Sequence, residues 1–253
     1  MCGRYAAAKD PAALVEEFEV AAPPTEALGP DYNVAPTKKV YVVLDRLAAD
    51  RLQRSLVVAR WGLVPSWAKD PSIGSRMINA RAETVAQKPA FRRAFAKRRC
   101  LVPADGYYEW YLPTAADAPV GKGGKPLKQP FFIHRPDGSS LAMAGLYEWW
   151  HDTTRAEDDP LAWRLTCTVI TTDASDEVGR IHDRMPMTIT PEGWGRWLDP
   201  ARGPDEVAGL LVPAMSEPLE AYPVSTLVNS VRNNGPDLLT PLPPEDVAPG
   251  ALF

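Results

Sequence analysis

The chain's chemistry begins at its second residue. Cys2 follows the initiator methionine in the run Met1-Cys2-Gly3-Arg4-Tyr5. A small residue there lets a methionine aminopeptidase remove Met1, which would leave Cys2 with a free α-amine and a thiol on adjacent carbons. No internal cysteine offers that pair. An α-amine has an unperturbed pKa of about 7.7–8.0 and a thiol about 8.5, so both are partly deprotonated near neutral pH. Together they can act as a nucleophile or capture an aldehyde as a five-membered thiazolidine. The alternative is that Cys2 is merely a small residue at a disordered terminus.

Two proton-transfer groups stand out further along. In Gly106-Tyr107-Tyr108-Glu109-Trp110-Tyr111, strand alternation puts Glu109 on a face with Tyr107 and Tyr111. Desolvation in an aromatic wall raises a carboxyl pKa, which suits a general acid or base; the alternative is a surface glutamate on an edge strand. In Ile181-His182-Asp183-Arg184-Met185-Pro186, His182 has polar and charged neighbours rather than an apolar stripe, which favours a functional histidine. The three histidines and three cysteines lack ligand spacing, so no metal and no cofactor is expected.

The net charge of −4 argues against nucleic-acid binding for the chain as a whole, but the charge is unevenly spread. Between Arg76 and Arg99 lie Arg76, Arg81, Lys88, Arg92, Arg93, Lys97, Arg98 and Arg99 against the single acid Glu83. A patch of that kind suits a phosphate backbone; a solvated helix face would look the same. Trp67 is a core residue by the usual rule for tryptophan; its place between Pro65 and Lys69-Asp70-Pro71 offers the alternative of a surface ring that could stack on a base.

The elements that must position these groups are short. The 27 prolines argue for many loops. Asp10 can cap a helix from Pro11 to about Phe18. Strands are expected at Lys39–Arg46, Leu52–Trp61, Cys100–Pro103, Gly106–Tyr111, Pro130–Arg135, Leu141–Trp150, Trp163–Thr172 and within Pro223–Val231. A helical stretch is expected to begin at Ile78–Thr84, with Phe91 and Phe95 on one face and a basic helix continuing to Arg99. Asp173–Gly179 reads as a short helix or turn, and Pro191–Leu198 and Asp205–Leu211 as amphipathic helices. Pro113–Gln129 is a Gly/Pro/Lys-rich loop without a phosphate-loop pattern. With no linker between two cores, the expected fold is one α+β domain over 1–253, with a dominant antiparallel sheet, curled or barrel-like, and peripheral short helices. No signal peptide and no 18-residue apolar run is present, and the three scattered cysteines fit a reducing compartment. The expected location is cytoplasmic and nucleoid-associated, or nuclear in a eukaryote.

Six motifs in order, Met-Cys-Gly-Arg at the start, Tyr32-Asn-Val-Ala-Pro, Trp61-Gly-Leu-Val-Pro-Ser-Trp, Asn79-Ala-Arg-Ala-Glu-Thr, Gly106-Tyr-Tyr-Glu-Trp and Ile181-His-Asp-Arg-Met-Pro, resemble the SOS-response-associated peptidase (SRAP) family of abasic-site processing proteins. The resemblance runs from residue 2 to about residue 242; the longer loop at 113–129 and the insertion-like 152–160 depart from it. It implies a protein that binds single-stranded DNA and crosslinks to abasic sites through a Cys2 thiazolidine, shielding them from strand cleavage; a monomer is expected, though nothing in the sequence fixes the oligomeric state. It further implies that Asn79 orients the opened sugar, Glu109 shuttles protons, and His182 assists sugar opening or reversal. Arg4 and Arg81 would hold phosphates, Asn33 would line the pocket, and Trp67, Phe91 and Trp110 would stack on or wedge against bases. The peptidase in the family name implies cleavage of the protein's own leader to expose Cys2. Two other classes compete with this reading: an N-terminal-cysteine glutamine amidohydrolase, whose downstream motifs are not found, and a non-catalytic single-strand binder.

Overall fold

The computed structural model describes residues 2–48, 51–113, 120, 124, 126–174, 176–211 and 218–247. Met1, most of the loop expected at 113–129 and the end of the tail lie outside the described residues.

The strands are β1 (Tyr5–Ala7), β2 (Asp31–Val34), β3 (Lys39–Ala48), β4 (Arg51–Trp61), β5 (Asn79–Arg81), β6 (Arg99–Ala104), β7 (Gly106–Tyr111), β8 (Gln129–His134), β9 (Leu141–His151), β10 (Trp163–Asp173), β11 (Arg184–Pro186) and β12 (Glu220–Pro223). The helices are α1 (Pro11–Glu17), α2 (Arg92–Lys97), α3 (Asp176–Ile181), α4 (Pro191–Leu198) and α5 (Pro204–Ala208). The order β10-β4-β3-β6-β9 returns to β10, because β9 pairs with β10 along most of its length, and this closes a five-stranded barrel. All its pairings are antiparallel except β4 with β10. A second antiparallel sheet has the order β12-β8-β7-β1-β2. The expected curled, mainly antiparallel α+β fold is the one observed.

Period-two patterning builds this arrangement. Val40, Val42 and Leu44 of β3 join one core with Trp61, Cys100, Val102, Met143 and Val169 of the other barrel strands. Tyr5, Tyr107 and Ile133 of the second sheet complete it. The alternate residues Tyr41 and Val43 turn outward, to a layer with Leu14 of α1, Phe95 of α2 and Trp194 and Trp197 of α4. A third cluster, with Ala6, Tyr108, Phe132, Val224 and Val228, backs the second sheet.

Three expectations are corrected. Asn79–Arg81 is a strand, not the start of a helix: it pairs in parallel with Val169–Thr171 of β10. The helix-forming Ala and Arg residues there are overruled by a tertiary ladder. Likewise the last strand is Glu220–Pro223, and the chain then turns into a 3-10 helix, Thr226–Asn229. Ser225 starts that turn by accepting a hydrogen bond from Leu227 N–H, a capping signal that ends the extended run. The basic helix is also shorter than expected. Arg99 is 2 % exposed, and its guanidinium donates to the carbonyls of Phe95, Ala96, Trp197, Asp199 and Arg202. Arg98 is paired with Glu148 at 2.7 Å. Two of the eight bases therefore hold the fold together instead of facing DNA.

Gly62 sets the loop that carries Trp67. Its φ is +123°, and a Cβ there would lie 2.6 Å from the Gly74 carbonyl oxygen. Backbone strain of this kind costs about 1–3 kcal/mol, and the clash adds to it. Gly62→Ala is expected to lower the urea midpoint by an amount equivalent to about 2 kcal/mol or more; an unchanged midpoint would show that the loop adapts freely.

Candidate functional site

β1 is an interior strand. Tyr5 pairs with Val34 of β2 on one side and Tyr107 of β7 on the other. Arg4 extends the ladder by accepting from Tyr108 N–H at 2.9 Å. The Tyr5 ring meets Trp61 edge-on at 5.1 Å, and Trp61 Nε1 donates to the Ile78 carbonyl. These contacts pin the residues on either side of the site, Cys2 and Asn79. Asn79 Nδ2 donates to the Cys2 carbonyl at 2.7 Å. Asn79 Oδ1 is buried with no hydrogen-bond partner among the described residues, so it is an acceptor held ready for a donor from outside.

Cys2 itself is 0 % exposed. Burial first, and then the nearby Glu109 carboxylate, push its thiol far above the ordinary cysteine range. Glu109 is 2 % exposed and lies opposite Phe131 of β8. Burial pushes its pKa up to about 7, the direction expected for a carboxyl in an aromatic wall and not for a surface glutamate. His182 follows α3. Burial lowers its pKa, and Lys128 pulls in the same direction. Arg184 N–H donates to His182 Nδ1 at 3.0 Å, while Asp183 Oδ1 stands 2.9 Å from the same nitrogen. Both contacts cannot be hydrogen bonds of one neutral ring. A neutral ring, the form that burial favours, uses Nδ1 for one of the two: as acceptor from Arg184 N–H, or as donor to Asp183.

Glu109 and His182 line one cleft of about 430 Å³ with Arg4, Trp110, Lys128 and Asn229. Asn79 and Arg81 line a separate groove of about 410 Å³ with Arg76, Met77, Thr84, Lys88 and Phe91. Cys2 connects the two through its carbonyl on Asn79 and its thiol in the field of Glu109.

Not every candidate is free to meet a ligand. Arg4 Nη1 donates to Asn33 Oδ1 at 2.7 Å and to the Val228 carbonyl at 2.8 Å, and the guanidinium lies 5.7 Å from the Trp110 ring centroid. Asn33 is fully buried, and its Nδ2 donates to the carbonyls of Val228, Ser230 and Asn233. Both therefore tie β1 and β2 to the 226–229 turn, and only Arg4 also reaches the cleft. Trp110 Nε1 donates to Asn229 Oδ1, which fixes the ring at the cleft wall. Trp67 is 54 % exposed, whereas Phe91 is buried in the outer core with only an edge in the groove. Sequence reasoning passed over Lys128 and Asn229. Lys128 sits at the end of a Gly/Lys-rich stretch, and only the pairing of β7 with β8 brings it beside Glu109.

Fold and site together define a barrel protein whose first strand carries a buried cysteine to the meeting point of a raised carboxyl, a neutral imidazole and a basic groove. The chain matches the family profile described as SOS response associated peptidase (SRAP) over residues 1–231. It is 39% identical over 241 residues to the Abasic site processing protein YoqW of Bacillus subtilis, covering 94% of this chain and 99% of that one. It is 37% identical over 241 residues to the Abasic site processing protein HMCES of Gallus gallus, covering 84% of this chain and 66% of that one. A crystal structure of a protein from Bacteroides thetaiotaomicron superposes with a TM-score of 0.76 at 27% identity, over 95% of this chain and 100% of its own. The chain belongs to the SRAP family.

The raised Glu109 pKa makes a stability prediction. An unfolded glutamate titrates at about 4.3, and the folded one at about 7. Between these values the native state holds a proton that the unfolded state has lost, so stability falls as pH rises through that window. Glu109→Gln is expected to remove this fall, leaving the variant relatively more stable at pH 8 by up to about 3 kcal/mol. Urea midpoints of the two proteins measured from pH 4.5 to 8 check it; parallel curves would mean that Glu109 titrates normally.

Proposed function

We propose that this protein processes abasic sites in single-stranded DNA by capturing the sugar aldehyde on Cys2. The observation that carries this reading is the position of Cys2, buried behind Asn79, which donates to its carbonyl and lines a groove with Arg76, Arg81 and Lys88, and in the field of Glu109, which lines the adjoining cleft. The names of the two relatives point the same way. None of Arg76, Arg81 and Lys88 has an ion pair among the described residues, so all three are available to phosphates.

The chemistry begins with ring opening, which gives a C1′ aldehyde. Once Met1 is removed, the Cys2 α-amine attacks C1′, the carbinolamine loses one water, and an imine forms. The Cys2 thiol then adds to the imine carbon, its proton passes to nitrogen, and a thiazolidine closes. With no imine left, β-elimination of the 3′ phosphate is blocked. Glu109, with a pKa of about 7, can give a proton to the departing oxygen and take one from the attacking amine. His182, which lines the same cleft, would assist opening of the sugar. Asn79 holds the Cys2 backbone and offers Oδ1 to a sugar hydroxyl.

The strongly raised thiol pKa supports this order of events. A thiol that stays protonated is a poor first nucleophile for an amide, which disfavours the amidohydrolase reading, but it can still close a ring on an activated imine. The peptidase activity in the family description would act on the protein's own leader, exposing the Cys2 amine.

Cys2→Ala is expected to abolish a denaturation-resistant adduct with an abasic oligonucleotide while preserving salt-sensitive binding. Cys2→Ser keeps the amine and is expected to give only a reversible imine, trapped by borohydride. A stable adduct in Cys2→Ala, seen by denaturing gel, would sink the mechanism. Arg81→Ala and Lys128→Ala are each expected to lessen the slope of log K against log salt by about 0.7 for single-stranded DNA, measured in the Cys2→Ala background by anisotropy. An unchanged slope would remove that residue from the phosphate contacts.

A further inference from the structure

The barrel has an opening that the chemistry around Cys2 does not use. β4 and β10 run parallel but pair only at Arg60 with Thr166 and Trp61 with Cys167. Towards the start of β10 the two strands part. The phase of the flanking ladders tells which backbone groups face the gap. Trp61 N–H donates to the Lys38 carbonyl, so the odd residues of β4 turn to β3 and Val58 turns to the gap. Asp152 N–H donates to the Ala162 carbonyl, so the even residues of β10 turn to β9 and Trp163 turns to the gap. The bond from Gly62 N–H to the Cys167 carbonyl confirms that phase. Val58 and Trp163 thus present backbone donors and acceptors with no ladder partner across the gap among the described residues.

The gap is the floor of a groove of about 370 Å³ lined by Val58, Arg60, Leu161, Trp163 and Leu165 among others. Trp163 is 53 % exposed and Leu161 63 %. Thr37, on the rim, has φ +73°, a conformation that β-branched residues avoid and that marks strain held by its surroundings. Leu161 and Arg155 come from the insertion-like stretch after β9 and its continuation.

Charge selects the occupant. Lys39 is paired with Glu26, Arg155 with Asp152 and Asp159, and Arg164 with Asp152. Arg60 has no ion pair among the described residues. A nucleic acid brings a phosphate at every step and would meet these acids. An extended peptide needs one carboxylate for Arg60 and one apolar side chain for Trp163.

We propose that this groove docks an extended segment of a partner protein, which adds a strand between β4 and β10, rests an apolar side chain on Trp163 and Leu161, and sets a carboxylate on Arg60. Strand addition uses backbone pairing for affinity and side-chain pockets for specificity, and a Trp and an Arg at the centre are the residue types that dominate such contacts.

The test selects a random 12-residue peptide display library on the intact protein. The most enriched sequence is then made as a fluorescent peptide and its affinity measured by anisotropy. Enriched peptides are expected to alternate β-branched or apolar residues with an Asp or Glu. Arg60→Glu and Trp163→Ala are each expected to weaken the peptide at least tenfold, and methylation of alternate peptide nitrogens to do the same. Adduct formation with an abasic oligonucleotide is expected to be unchanged in both variants, which also reports that they fold. No enrichment, or peptides that bind both variants at full strength, would overturn the proposal. Displacement of the peptide by oligothymidine with loss in the same variants would assign the groove to single-stranded DNA and overturn it equally.

Discussion

The site depends on where the chain begins in the sheet. β1 is three residues long, yet it lies between β2 and β7 instead of at an edge. A terminal strand is ordinarily free to fray. Here Tyr5 is locked between Val34, Tyr107 and the Trp61 ring, and Arg4 is tied to a carbonyl more than two hundred residues away, at Val228. A reactive group at the very start of a chain would otherwise sample many positions. Binding β1 on both sides converts Cys2 into a fixed point against which Asn79 and Glu109 can be aimed.

That fixed point determines the electrostatics. The same core that holds Tyr5 removes water from Glu109 and Cys2, so one carboxyl is brought to about 7 and the thiol is driven upward. Desolvation acts on both because both prefer the neutral form when buried. In the proposed mechanism this pair serves amine chemistry assisted by an acid, with the thiol acting in the later step. The basic groove supplies what the buried core cannot, exposed cations whose fields reach water. The division lets a chain of net charge −4 carry a local basic groove: Arg76, Arg81 and Lys88 have no ion pair among the described residues, whereas Arg98 and Arg99, nearby in sequence, are committed to Glu148 and to backbone carbonyls.

Much of this was legible before any coordinates. Glu109 was readable as a proton-transfer candidate because alternation puts it on a face with Tyr107 and Tyr111, β3 shows its period of two in Val40, Val42 and Leu44, and β10 was readable as a buried strand, its residues from Leu165 to Thr172 all being buried. The misreadings share a cause. Asn79–Arg81 has a helical composition, but β10 offered it a ladder, and no local signal records a partner nearly ninety residues downstream. The part of Arg4 and Asn33 in holding the 226–229 turn was not legible either, because their acceptors lie about two hundred residues downstream. Lys128 was missed because its neighbours in sequence are unremarkable and its neighbours in space come from β7 and the segment after α3. A barrel-like sheet was expected, but which strands close it was not legible, since the pairing of β9 with both β6 and β10 is a property of register.

The central claim is that Cys2, freed of Met1, captures an aldehyde with both its amine and its thiol. Intact-mass spectrometry of the protein after incubation with an oligonucleotide carrying one abasic site tests it most directly. The account predicts a species equal to the protein lacking Met1 plus one oligonucleotide less one water, stable without reductant. A protein that has lost Met1 yet shows only its own mass after the same incubation would contradict it.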